Sequence, residues 1–392
     1  MFIANNNATL GVAGPTIVDG AKRDRDMGIA VPSQFVSTFD LIPTRNALSA
    51  MFAAINPETG ALPDSGPPLC QLGSDTYHCW TLIGTHNYYL YSGDDDWLST
   101  IWTNYTHAIA CLEGNVDSTG LMDVTGLPDW ARLGGGGCNA EGNAILYKAS
   151  SMRIIWAMNL SPQLEEKTLP HSKSSSTRPS GWNDANSFAV LYNLTLSNEQ
   201  KGPEKNWNDL GPVVPELPDT TSRFNISGFE PQAHFKAGKD DRALDLLRRE
   251  WDYILYTNLS VQSTLLEGFM ANGSLWYVLF PLFLYSSGLT SALTLYVMGL
   301  SLRGATWSVS PLINGGLPGA EGGFETLLGW FGMKWALKDN QFFMEISTPK
   351  GTNDQVKLLR NGSVVVDEEA VDVGADGEIA LTGGKHGVVI FS

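Results

Sequence analysis

The sequence predicts a mainly α-helical domain over residues 1–304, followed by a C-terminal β-sandwich over residues 305–392. Three observations carry that expectation. Apolar residues recur at helical spacing from about Arg25 to Trp156, and again in Asp184–Leu194 and Asp240–Leu255. Turns rich in Gly, Pro and Asp punctuate those stripes at short intervals. Beyond about Ala305 the pattern changes to short alternating or β-branched runs separated by Gly and Asn, as the strands of a sandwich require.

Composition narrows the function classes. A length of 392 residues suits two or three domains. Lys plus Arg number 25 against 41 Asp plus Glu, and the resulting net charge of −16 argues against a nucleic-acid partner. With 43% apolar and only 17% charged residues, the chain has enough material for a large core and is not disordered. The longest apolar run, Leu275–Tyr285, contains Pro281 and falls short of the roughly 20 residues a bilayer span needs, so no membrane partner is expected. Cys70, Cys79, Cys111 and Cys138 lack the ligand spacing of a zinc site. One or two disulfides and buried free thiols both fit them.

Individual elements follow from caps and stops. Thr44 is placed to cap a helix running through Ile55, which the Asn56–Gly60 turn ends. Asp75 precedes the periodic segment Trp80–Tyr91, closed by Ser92-Gly93. Asp94–Asp96 then opens a helix over Trp97–Leu112, where carboxylates suit the positive end of the helix dipole; capping is the reading here, not metal binding. Asn139–Leu160 forms another helix. Leu164–Gly181 and Lys201–Pro218 are polar and read as loops. The stripe Ala243, Leu244, Leu247, Trp251, Ile254 marks the buried face of the Asp240–Leu255 helix. Strands follow at Trp307-Ser-Val-Ser, Gly332-Met-Lys-Trp, Phe342-Phe-Met-Glu-Ile, Gln355-Val-Lys-Leu-Leu, Ser363-Val-Val-Val and Gly387-Val-Val-Ile-Phe.

The segment with the most chemistry is Asp19-Gly-Ala-Lys-Arg-Asp-Arg-Asp26, three carboxylates among three cations. On composition alone a solvated, salt-bridged loop is the commoner meaning of such a run. The functional meaning is a polar site in which Lys22, Arg23 and Arg25 tune the neighbouring carboxylates.

That segment, continued by Asp26-Met-Gly-Ile-Ala-Val-Pro-Ser33, resembles fungal α-L-rhamnosidase-like proteins of glycoside hydrolase family 78. An ordered series of further matches extends the resemblance over roughly residues 15 to 335. It comprises Asp75-Thr-Tyr-His-Cys-Trp80, Tyr91-Ser-Gly-Asp94, Leu127-Pro-Asp-Trp130 and Asn139-Ala-Glu-Gly-Asn143. Glu230-Pro-Gln-Ala-His-Phe235, Leu265-Leu-Glu-Gly268 and Thr290-Ser-Ala-Leu293 complete it.

The resemblance implies an (α/α)6 six-hairpin barrel before the β-sandwich, and release of terminal α-L-rhamnose with inversion by two carboxyl groups. It assigns Asp24 as general acid and Glu267 as the base that activates water. Asp19, Arg23 and Asp26 would hold the sugar, with Trp80 and Trp130 as apolar walls and Asp129 beside them. Neither cofactor nor metal is implied, and the partners would be rhamnosylated plant glycosides or polysaccharides.

Two departures bear on activity. Family members carry a spacer with Trp and Gly where this chain runs directly from Arg25 to Asp26, and a polar His-containing stretch where this chain has Trp276–Tyr285. The alternative reading is therefore a catalytically impaired, glycan-binding relative. A lyase of similar architecture would need a Tyr or His base that finds no place. The closeness of Met1 to Asp19 leads to the expectation that the family's N-terminal part is missing.

Eight Asn-x-Ser/Thr sequons, at Asn7, Asn104, Asn159, Asn193, Asn225, Asn258, Asn272 and Asn361, point to a secreted glycoprotein, although Met1–Leu10 has no signal-peptide pattern. Produced in a eukaryotic secretion host, the protein should lose mass on enzymatic deglycosylation. An unchanged mass would contradict the compartment.

Overall fold

The computed structural model describes residues 27–67, 70–125, 136–160, 183–194, 207–213, 220–223, 228–259, 268–274, 288–303, 306–312, 315–339, 341–358, 362–374 and 377–391. Its helices are α1 (Met27–Thr38), α2 (Ile42–Ala53), α3 (Asp75–Ser92), α4 (Asp95–Glu113), α5 (Ala140–Leu160), α6 (Asn183–Leu191), α7 (Phe229–Lys236), α8 (Asp240–Tyr256) and α9 (Gly288–Ala292). A π-helical stretch, Leu293–Met298, continues α9. The expected helices are present with shifted ends. Pro43 lies in the first turn of α2 and Leu41 is its N-cap, so Thr44 does not cap it; the Thr44 hydroxyl instead donates to Gln34 Oε1 at 2.6 Å. Ser74 caps α3 by accepting from Tyr77 N, and Gly93, at φ +63°, ends it. Asp94 caps α4 through Trp97 N at 3.0 Å, as the acidic run predicted.

Six of these helices form a closed circuit. α1 packs on α3, α3 on α5, α5 on α6, α6 on α7, α7 on α9, and α9 returns to α1. Helices α2, α4 and α8 flank the circuit, α2 against α3 and α4, α8 against α7. Two glycines permit the closest approaches. A Cβ at Gly28 on α1 would lie 2.6 Å from Cε3 of Trp80 on α3, and one at Gly288 would lie 2.6 Å from the Gly228 Cα at the start of α7. Trp80 stacks on Phe229 of α7 (5.5 Å, 18°) and meets Phe188 of α6 at 5.6 Å. One indole thus joins four members of the circuit.

Short strands lie between the helices: β1 (Trp207–Asn208) pairs with β2 (Gly211–Pro212), and β3 (Thr220–Arg223) with β4 (Gly268–Met270). The first pair occupies part of what the sequence predicted as the Lys201–Pro218 loop. The polar segment 164–181 and the apolar run Leu275–Tyr285 lie outside the described residues.

The C-terminal strands are β5 (Leu300–Arg303), β6 (Thr306–Val309), β7 (Gly319–Thr326), β8 (Gly329–Lys338), β9 (Gln341–Ser347), β10 (Asn353–Lys357), β11 (Ser363–Val366), β12 (Glu369–Val371), β13 (Glu378–Thr382) and β14 (Lys385–Phe391). They make a four-stranded sheet, β13-β10-β6-β5, and a six-stranded sheet, β12-β11-β14-β9-β8-β7. All pairings are antiparallel except β10 with β6. Alternation of buried and exposed residues along β6, β9 and β11 gives each strand one apolar face. Phe324 of β7 reaches Phe35 of α1 at 5.0 Å, so the six-stranded sheet docks on the helices through this aromatic contact.

The four cysteines are free thiols, Cys79 fully buried and Cys138 exposed. Among the sequons, the Asn104 amide donates to the Phe52 carbonyl at 3.2 Å, whereas Asn272 is exposed in a turn.

His78 on α3 is buried, and desolvation pulls its imidazole pKa down to about 3, against an opposing backbone hydrogen bond to Ala108. Between about pH 6.5 and pH 3 the unfolded chain binds a proton that the folded chain does not. Its stability contribution is therefore full above pH 6.5 and is lost progressively as the pH falls. Chemical denaturation between pH 7 and pH 4 should show a falling midpoint, with a shallower slope in His78→Gln. An identical slope in the variant would contradict this.

Candidate active site

The N-terminal turns of several circuit helices gather at one end of the helical domain. Gly228 and Gly288 bring the starts of α7 and α9 together, and a Cβ at Gly288 would touch Ile29 of the first turn of α1. The starts of α3 and α5 meet through the chain at 122–125. The Asp75 carboxylate, 8% exposed, accepts from Thr125 N at 2.7 Å, Thr125 Oγ1 at 3.0 Å and Asn115 Nδ2 at 3.1 Å. A buried carboxylate satisfied in this way is a fixed anchor.

Asn143 of α5 holds the other side, accepting from Met122 N (2.8 Å) and donating to Met122 O (3.1 Å). Asn139 caps α5 through Gly142 N at 2.7 Å. Val124 and Gly137 exchange backbone hydrogen bonds of 3.0 and 3.1 Å. Residues 126–135, which contain Asp129 and Trp130, lie outside the described residues; Thr125 before them and Gly137 after them are held by these bonds. Near the start of α5, Glu141 is buried, and its charge adds to the burial that pushes the Tyr192 hydroxyl well above its ordinary range.

A second group of polar residues sits at the start of α7. Glu230, 4% exposed, accepts from Trp207 Nε1 at 3.2 Å through Oε1, and His234 Nε2 lies 3.4 Å from the same oxygen. Its Oε2 has no hydrogen-bond partner among the described residues. The Arg242 guanidinium lies 4.6 Å from the Trp207 ring centroid, a cation–π contact. Asn208, next to Trp207, donates to Ala271 O at 2.9 Å, and Phe269 packs on Tyr253 of α8 at 4.6 Å. These contacts hold β4, whose first residue, Gly268, directly follows Glu267 in sequence.

Asp19, Arg23, Asp24, Asp26, Asp129, Trp130 and Glu267 lie outside the described residues. The structure does describe what flanks them: Met27 after Asp26, the clamped ends around Asp129 and Trp130, and Gly268 after Glu267. Trp80 is described, and it is 1% exposed. Its ring surface is taken up by Gly28, Phe188 and Phe229, which makes it a packing residue, so the sugar-wall role expected of it is not carried further.

Sequence reading quoted Asp75, Glu230 and His234 only within motifs and gave them no role in the site, and it did not single out Trp207. The available signal was the Glu-x-x-x-His spacing on α7, which places both side chains on one helical face. Among the described residues no group of three or more His, Cys, Asp or Glu could hold a metal.

Residues 305–371 match the family model of the bacterial α-L-rhamnosidase C-terminal domain. The structure is similar to the Streptomyces avermitilis α-L-rhamnosidase complexed with L-rhamnose, with a TM-score of 0.70 and 15% identity, covering 94% of this chain and 38% of that one. The native Aspergillus terreus α-L-rhamnosidase gives 0.69 and 16%, with coverages of 94% and 45%. The family 78 rhamnosidase of Bacillus sp. GL1 gives 0.58 and 16%, with coverages of 83% and 40%. The chain therefore spans less than half the length of each. A search of curated proteins finds no match. At these identities the likeness is one of fold: a helical domain followed by a C-terminal β domain, as in the α-L-rhamnosidases.

Replacing Asp75 with Ala should leave Thr125 N without its acceptor and cost about 1–3 kcal/mol of stability. Protection of the Thr125 amide against hydrogen exchange should fall with it. Unchanged stability and protection would show that the clamp is not held by Asp75.

Proposed function

We propose that this chain is the catalytic-type part of an α-L-rhamnosidase-like glycoside hydrolase, with an (α/α)6 barrel over residues 1–304 and a β-sandwich over 305–392. The observation that carries the reading is the fold likeness over 94% of the chain to a rhamnosidase complexed with L-rhamnose. The match of residues 305–371 to that enzyme class's C-terminal domain supports it. The substrates would be terminal α-L-rhamnosides on plant glycosides or polysaccharides, met outside the cell.

The mechanism assigned is inversion. Asp24 protonates the glycosidic oxygen as the bond to C1 breaks, while Glu267 takes a proton from the water that attacks C1 from the opposite face. The two carboxyl groups must then stand roughly 6.5–9.5 Å apart. Asp19, Arg23, Asp26, Asp129 and Trp130 would surround the sugar. That placement is supported by the described neighbours of these residues, since Met27 follows Asp26, the clamped ends flank Asp129 and Trp130, and Gly268 follows Glu267. The direct run from Arg25 to Asp26 shortens the acid's loop, and a displacement of about 1 Å can cost ~100-fold in rate, so turnover should be weak.

With an aryl α-L-rhamnoside, proton NMR should detect β-L-rhamnose as the first product. Asp24→Asn and Glu267→Gln should each lower turnover by about 100-fold or more. Near wild-type turnover in either variant would overturn that residue's role, and absence of rhamnose release from the unaltered chain would favour a binding-only relative.

A further inference from the structure

The outward face of the six-stranded sheet carries an aromatic surface that hydrolysis does not use. Trp330, the second residue of β8, is 49% exposed. Along β8, Trp330 and Lys334 face solvent while Phe331, Met333 and Trp335 are buried, the side on which Phe324 meets the helices. Two glycines lie directly beneath the indole. A Cβ at Gly332 would lie 3.0 Å from its Cε2, and one at Gly323 would collide with its six-membered ring. Gly323 and Gly332 are register partners across β7 and β8. The missing side chains leave room for the indole against the backbone, with about half of the residue open to solvent.

The surroundings of the ring are polar. Glu325 stands opposite Trp330 in register and is exposed, and Lys334 Nζ pairs with Glu321 Oε2 at 3.0 Å. Leu327 and Leu328 extend the apolar surface at the hairpin tip.

We propose that Trp330 is the stacking platform of a saccharide-binding site in the C-terminal domain, on the face turned away from the helices, for a neutral pyranose unit. The axial C–H groups of a pyranose meet the electron-rich face of an indole favourably, and its hydroxyls can donate to the Glu325 carboxylate. The carboxylate rim and the chain's net charge of −16 disfavour uronate-rich, sulfated or phosphorylated chains. A protein partner needs about 1,000 Å² of complementary surface, whereas this patch is one ring and two leucines bounded by charges.

Native affinity electrophoresis of the whole chain in gels containing neutral α-L-rhamnan or dextran reads this directly and does not depend on turnover. Wild type should be retarded, Trp330→Ala should bind about tenfold more weakly, and Trp330→Phe should bind in between. Gly332→Ala, which lifts the ring, should weaken retardation while leaving unfolding by denaturant cooperative. Hydrolysis of an aryl rhamnoside, where present, should be unchanged in Trp330→Ala. Equal retardation of wild type and Trp330→Ala would overturn the proposal. So would an unretarded wild type, or a drop in mass from dimer to monomer in Trp330→Ala by light scattering.

Discussion

The helical half depends on one contact, that of Gly28 with the Trp80 indole. Because residue 28 lacks a Cβ, α1 approaches α3 closely enough for the ring to fill the space between them. The same ring then stacks on Phe229 and meets Phe188. Each aromatic pair adds about 0.5–1.5 kcal/mol beyond the area it buries, and the pairs share a single side chain. Loss of that side chain would loosen α1, α3, α6 and α7 together.

Polar groups at the gathered helix ends do a different job. Asp75 accepts three hydrogen bonds, and Asn143 ties α5 to Met122 from both its amide groups. In a buried setting each of these bonds is expensive to leave unmade, so Met122 and Thr125 are held firmly to the starts of α5 and α3. The partial positive charge of helix N-termini at this end also favours carboxylates. Glu230, in the first turn of α7, is one such group, and its Oε2 has no hydrogen-bond partner among the described residues.

The C-terminal sheets are joined to the helices by apolar contact. Phe35 stacks on Tyr91 at 4.2 Å and meets Phe324 at 5.0 Å, so a residue of α1 bridges α3 and β7. Trp335 Nε1 donates to Val297 O at 3.1 Å, which anchors β8 to the π-helical stretch. The inward face of the six-stranded sheet is thereby committed to the core. Its outward face is left for other work.

The sequence by itself determined the change from helices to strands near residue 300, because periods of 3.6 and 2 are local properties of the chain. It also located most caps and stops, as at Asn56–Gly60, Gly93 and Asp94, where short-range chemistry decides. The motif series determined the resemblance to rhamnosidases. Only the tertiary structure decided that Trp80 is enclosed, since the partners that enclose it stand about 50 to 150 residues away in the chain. It alone showed that Asp75 and Asn143 hold the chain at Met122 and Thr125, and that Trp207 and Glu230 meet. It also showed Trp330 to be open where Trp335, five residues on, is buried. Cores and exposed platforms use the same aromatic residues, and pairing across strands and helices sets which face each one presents.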